Sequence, residues 1–231
     1  MLVPNTTTDN TMKKLTDFLD ATAVCDYGFL KTKDGPNGLN YAISIVVPLS
    51  DAIVDEITDS PTFSYFHHYR TVNSYIDTVL LQTGIVLQQA GYKYMPVAAS
   101  QSQPENGKRT HRGLYSHKKA AVIAGLGTVG RNSLFLHHTH GPRVRLGTVF
   151  TDFPLTSSAH EIIAPDVCLD CGICVDACPA NAITGRVWAP GIDRELMFDA
   201  DACNRHMRTK YMHIGRGSVC GICISVCPAV R

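Results

Sequence analysis

Nine cysteines occur in this 231-residue chain, and eight of them fall from residue 168 onward, leaving Cys25 alone in the N-terminal two thirds. Cys168, Cys171, Cys174 and Cys178 form CxxCxxCxxxC followed by Pro179. This is the run in which three thiolates wrap one four-iron cube and the fourth reaches a second cube. Cys220, Cys223 and Cys227, followed by Pro228, repeat the second half of that run, and Cys203 stands upstream of them. The crossing rule pairs Cys168, Cys171 and Cys174 with Cys227, and Cys203, Cys220 and Cys223 with Cys178, giving two [4Fe-4S] clusters. Structural zinc is the alternative. Four-cysteine zinc sites, however, come as two CxxC pairs rather than a triple CxxCxxC. A dense disulfide set is at odds with a reducing cytoplasm, which the rest of the chain suggests. Cys203 is the unusual ligand, because Gly217 stands where a simple ferredoxin has its cysteine; His206 and His213 lie in the same interval as alternative ligands.

A second set of residues invites a nucleotide reading. Gly125, Gly127 and Gly130 form GxGxxG after the apolar run Ala121 to Ala124. A dinucleotide site needs an acidic residue about 20 positions further on to hold the ribose. No Asp or Glu occurs from Arg131 to Thr151. The glycines therefore read as a tight turn that lets backbone approach a ligand or a neighbouring element. Arg143 and Arg145 could neutralise a phosphate or simply face solvent. His137, His138 and His140 read as a turn before Gly141-Pro142 rather than as a metal site.

These residues need elements to position them. Apolar positions at Met12, Leu15, Leu19 and Ala23 predict a helix over 11–24, and those from Val72 to Ala90 predict a long one that Gly91 ends. Tyr41 to Leu49 predicts a buried strand, with further strands near 92–98 and 144–151. Residues 115–124 read as a helix, and the polar stretch SQSQPENGKRTHRG before it as a loop. The alternation predicts an α/β class, with α+β possible, over residues 1–155. Residues 156–231 form a small double-cluster domain that the metal must staple. The charge balance of 21 Lys and Arg against 20 Asp and Glu disfavours a nucleic-acid or membrane-surface partner. Apolar runs fall short of a membrane span, and the N-terminal sequence is polar, so a cytoplasmic protein is expected.

The segment from Ser116 to Leu155, followed by the cysteine run, resembles the epoxyqueuosine reductases and their relatives the reductive dehalogenases. The matching pieces are AGLG at Ala124–Gly127, Gly130 with Asn132, GPRVRLG at Gly141–Gly147 and TDFPL at Thr151–Leu155. ACPANAI, Cys203 and CGICISVCP continue the likeness. The resemblance implies an N-terminal domain that binds cobalamin beside the two clusters, with electrons passing through the clusters to cobalt. Gly125, Gly127, Gly130, Asn132, Arg143, Arg145, Thr151 and Asp152 would line the corrinoid. Epoxyqueuosine reductases carry an acidic proton donor ahead of AGLG, whereas Arg109 to Ala121 contains no Asp or Glu; Tyr115 or His117 would take that role. These enzymes also have further C-terminal sequence for transfer RNA, so a small or modified substrate is expected here instead. A reduced ferredoxin or flavodoxin would serve as electron donor. Two other readings stand beside the reductase: an electron carrier, and a protein that binds or reactivates a corrinoid for a partner.

Overall fold

The computed structural model describes residues 6–156, 168–217 and 219–229. In chain order the helices are α1 (Thr6–Asp20), α2 (Asp51–Val54), α3 (Phe63–Gln89), α4 (His117–Ile123), α5 (Ile173–Asp176), α6 (Ala200–Lys210), α7 (Met212–Gly215) and α8 (Ile222–Ser225). The strands are β1 (Asp26–Lys31), β2 (Tyr41–Pro48), β3 (Tyr94–Val97), β4 (Pro104–Glu105), β5 (Lys108–Arg109), β6 (Gly127–Val129), β7 (Phe135–His137) and β8 (Val144–Thr151). One four-stranded sheet has the order β1-β2-β8-β3, and β4-β5 and β6-β7 form separate two-stranded hairpins. The pairings β1–β2 and β3–β8 are antiparallel, and the class is mixed helix and sheet, as expected.

The chain divides into two compact units that interleave in sequence. The first takes residues 1–47, 73–126 and 146–162; the second takes 48–72, 127–145 and 163–231. The expected boundary after residue 155 borders residues outside those described. The compact units differ from it in one main respect: 48–72 and 127–145 group with the cysteine-rich end.

In the first unit, β2 is buried on both faces, as its unbroken apolar run anticipates, and Ile43, Ile45 and Val46 are fully enclosed. Gly147 of β8 leaves room for α3: a Cβ there would lie 2.6 Å from Ile76 and 2.9 Å from Ile45. α4 begins with Ser116 accepting from the Lys119 N–H at 3.2 Å and ends in a Schellman turn, with Gly125 at φ +80°. There the Leu126 N–H donates to the Ala121 carbonyl and the Gly125 N–H to the Val122 carbonyl, both at 3.0 Å. The first glycine of the GxGxxG run thus stops a helix rather than starting one.

In the second unit, the other two glycines build the β6–β7 hairpin. A Cβ on Gly127 would lie 2.1 Å from the Leu136 carbonyl oxygen, so only glycine lets these strands close. At the tip, Gly130-Arg131-Asn132-Ser133 is a four-residue turn in which the Ser133 N–H donates to the Gly130 carbonyl at 2.9 Å. The Asn132 side chain accepts from the Leu134 N–H at 3.0 Å, which locks that tip.

Candidate metal centre

The two CGICxxxCP segments fold alike. Gly172 and Gly221 sit at the N-caps of α5 and α8 with φ of +72° and +89°, and each precedes a single helical turn that carries a cysteine. α5 and α8 pack against one another. That crossing brings Cys227, from the second segment, beside the first three cysteines. Cys168, Cys171, Cys174 and Cys227 line one cavity together with Arg131, Asn132, Leu136 and Gly172. Cys168 also packs on the buried group Leu136, Cys227 and Ala229.

The second set is assembled from three segments. Cys203 rides on the first turn of α6, where the Asp199 carboxylate caps the helix by accepting from the Ala202 N–H at 2.8 Å. Cys203 interacts electrostatically with Cys220 and Cys178, and Cys223 with Cys220, Cys203 and Cys178 and, last among its partners, with Cys174 of the first set. The Cys178 sulfur accepts from the Ala182 N–H at 3.4 Å. Residues 48–72 pack beside this set. Ser225 Oγ donates to the Ile57 carbonyl at 2.7 Å and Tyr211 Oη to the Asp59 carbonyl at 3.2 Å. The Tyr65 ring lies on Gly221, so close that a Cβ there would sit 2.7 Å from it. His206 turns its Nε2 to the Tyr211 hydroxyl at 3.4 Å.

The donor set fits iron-sulfur cubes. Burial, then the neighbouring Cys227, Cys168 and Cys171, pushes the Cys174 thiol up to about 11. Burial, then Cys220 and Cys178, pushes Cys203 up to about 12, and Cys220 and Cys223 are raised in the same way. A bound metal centre would replace the protons that burial retains on these thiols. Among the described residues no three His, Cys, Asp or Glu side chains converge on one point that a single ion could occupy. The four thiols that line the first cavity suit a cube, which presents a separate iron to each sulfur. Cys25 stands apart: its thiol donates to the Val46 carbonyl at 3.4 Å and is pushed up to about 11 by burial and by Asp26.

The residues expected to line a corrinoid fall into several local roles. Asn132 lines the first cysteine cavity, and its Nδ2 donates to the Cys223 carbonyl at 3.5 Å. Arg143 is buried, with one guanidinium nitrogen on Asp51 at 2.8 Å and another on Asp55 at 2.6 Å. The Arg145 guanidinium lies 4.7 Å over the Tyr69 ring. Thr151 donates to the Lys93 carbonyl at 2.8 Å, and Asp152 accepts from the Lys93 N–H at 2.8 Å, so both fix the entry to β3. His137 is buried, and its Nδ1 accepts from the Thr139 and His140 N–H groups at 3.2 and 3.3 Å, which makes the histidine group a turn.

Of the two expected proton donors, His117 has both ring nitrogens engaged. Nε2 faces the Ala98 carbonyl at 3.1 Å and Nδ1 faces Thr148 Oγ1 at 2.9 Å. A carbonyl only accepts, so Nε2 carries the hydrogen. Tyr115 packs its ring edge-on to Phe150 at 4.8 Å and donates its hydroxyl to Asp34 at 3.1 Å. Asp34 also meets Lys119 and Thr32, contacts the sequence pattern did not reveal because Asp34 lies 81 residues from Tyr115. Chiefly the Lys119 ammonium, with Thr32, holds the Asp34 carboxyl down at about 2, while burial raises the Tyr115 phenol.

Comparison with known proteins agrees with this centre. Residues 167–230 match the 4Fe-4S double cluster binding domain. The tetrachloroethene reductive dehalogenase of Desulfitobacterium hafniense is 33% identical over 118 residues, covering 46% of this chain and 21% of that protein. The epoxyqueuosine reductase of Staphylococcus aureus (strain NCTC 8325 / PS 47) is 37% identical over 74 residues, covering 32% of this chain and 19% of that one. A solved reductive dehalogenase, described in connection with B12-dependent dehalogenation, superposes with a TM-score of 0.73 at 19% identity over 94% of this chain and 31% of its own. The molecule is therefore an iron-sulfur protein with a double [4Fe-4S] domain. It is similar over part of its length to the reductive dehalogenases and epoxyqueuosine reductases, and it spans about a fifth of the length of these curated relatives.

Proposed function

We propose that this chain is a cobalamin-dependent iron-sulfur reductase acting on a small or modified substrate. One cluster would be held by Cys168, Cys171, Cys174 and Cys227, the other by Cys178, Cys203, Cys220 and Cys223. The observation that carries the reading is the meeting of these eight thiols in two crossed sets within a chain that has a second compact unit besides. A bare electron carrier needs only the cluster-bearing end. The relation to proteins described by B12-dependent dehalogenation supports the corrinoid. When bound, the clusters supply one-electron transfer and cobalamin supplies a reduced, nucleophilic cobalt.

The chain's own residues supply orientation and the proton. Tyr115 is the better proton holder of the two candidates, because burial keeps its phenol protonated and Asp34 fixes its hydroxyl. The engaged nitrogens of His117 suit it to fixing the start of α4. A reduced ferredoxin or flavodoxin would deliver the electrons.

Titration of the anaerobic protein with cob(II)alamin tests this reading without a substrate. Saturable changes in the corrinoid absorbance and in the Co(II) electron resonance are expected. If excess cob(II)alamin produces neither, the corrinoid assignment falls and the electron-carrier reading replaces it.

A further inference from the structure

Arg131 comes straight out of the glycine run, at the tip of the β6–β7 hairpin, and its side chain forms part of the cavity ringed by Cys168, Cys171, Cys174 and Cys227. It is anchored there twice. Nη1 donates to the Gly185 carbonyl at 2.6 Å, and Nη2 pairs with the Asp170 carboxylate at 2.5 Å. The two ends of that ion pair differ in solvation: the Arg131 side chain is 23% exposed and that of Asp170 is 82% exposed. Arg131 lines the cavity and Asp170 does not, so the cation is the member of the pair placed at the cysteine ring, while the carboxylate is the more solvated one.

We infer that Arg131 is the charge that sets the reduction potential of the first cluster, and that the glycine-built hairpin exists in part to deliver it. The inference rests on the iron-sulfur half of the proposed function and not on its corrinoid half. Reduction adds one electron to the cube and no atom leaves or joins it; in the test, dithionite is the reductant. The added negative charge is stabilised by a nearby fixed cation, which raises the potential, since net charge around a cluster is one of the factors that set it. Asn132, the next residue, reaches the Cys223 carbonyl, so the same turn also touches the second cysteine loop.

The test is a dithionite titration of the anaerobic protein followed by electron resonance, on the parent chain and on Arg131→Gln and Arg131→Lys. Iron is measured first on each. In Arg131→Gln the reduction equilibrium of one cluster should fall about tenfold, a shift of 59 mV for a one-electron couple. The other cluster should not move, and Arg131→Lys should restore most of the difference. Combining Arg131→Gln with Cys203→Ala, which opens the second set, should leave the shift in place and so assign it to the first. Full iron with unchanged potentials in Arg131→Gln overturns the inference, as does a Lys variant that behaves like Gln. A parent chain that fails to take up two cubes overturns the iron-sulfur reading, and this inference with it. Loss of cluster in both Arg131 variants would make the residue structural and equally overturn the inference.

Discussion

Cys203 decides how the second cluster is completed, because it departs from the simplest ferredoxin spacing and has a histidine near it. The thiol stands with Cys178, Cys220 and Cys223, whereas His206 is turned to Tyr211. Cys203→Ala should cost one cube or convert it to a three-iron form while the other survives, and His206→Ala should leave iron content unchanged. Iron analysis and electron resonance of the two variants check this; the opposite pattern would make the imidazole the ligand. A second residue-scale expectation concerns Asp34. Its folded value near 2 lies below the ordinary carboxylate value of 3.8, so its contribution is complete above about 4 and is lost as pH falls through about 2. Both partners of the Asp34–Lys119 pair are about half exposed. Its coupling in a double-mutant cycle with Asp34→Asn and Lys119→Met should therefore be only about 0.5 kcal/mol, and flat between pH 5 and 8. Thermal unfolding of the four proteins measures it.

Between elements, the repeated CGIC turns give an internal comparison. Both glycines adopt a left-handed backbone, but a Cβ on Gly172 would meet nothing within 4 Å, while one on Gly221 would collide with Tyr65 and Ile57. Gly172→Ala should cost about 1 kcal/mol from backbone strain alone. Gly221→Ala should cost roughly 3 kcal/mol, since overpacking adds to the strain. Denaturation of the cluster-loaded variants separates the two; equal losses would mean that Tyr65 is not held against the turn. Much at this scale was legible from the sequence. The β-branched run Val144 to Thr151 is a strand over those same residues, and the stripe from Val72 lies in a helix that begins earlier, at Phe63, and ends at Gln89, one residue before Ala90. The β6–β7 hairpin was not legible, because three-residue strands carry no periodic signal and their glycines imitate a nucleotide motif. β1 was missed for a related reason: Gly28 and flanking polar residues break its alternation, although a Cβ at Gly28 would meet the Ala124 carbonyl oxygen at 2.8 Å.

For the whole molecule, the cysteine sets could be read from spacing because thiol chemistry fixes a few short distances along the chain. The interleaving of the two units could not. Residues 48–72 show only a long helix start and a Pro-containing loop, and nothing in them announces that Ile57, Asp59 and Tyr65 meet Ser225, Tyr211 and Gly221 beside the second cysteine set. Likewise the Arg143 bond to Asp51 and Asp55 joins residues about ninety positions apart. The cluster-bearing unit is thus larger than its cysteine motifs suggest, and a segment that precedes the cysteine motifs by about a hundred residues packs beside its second cysteine set. No described helix is long and apolar enough to cross a membrane. The central claim is that this unit holds two four-iron cubes in crossed sets, and iron and sulfide analysis of the anaerobically reconstituted protein tests it most directly. About eight irons and eight sulfides per chain are expected, unchanged in Cys25→Ser, whose thiol bonds to the Val46 carbonyl. Zinc in their place, or about four irons after full reconstitution, would contradict it.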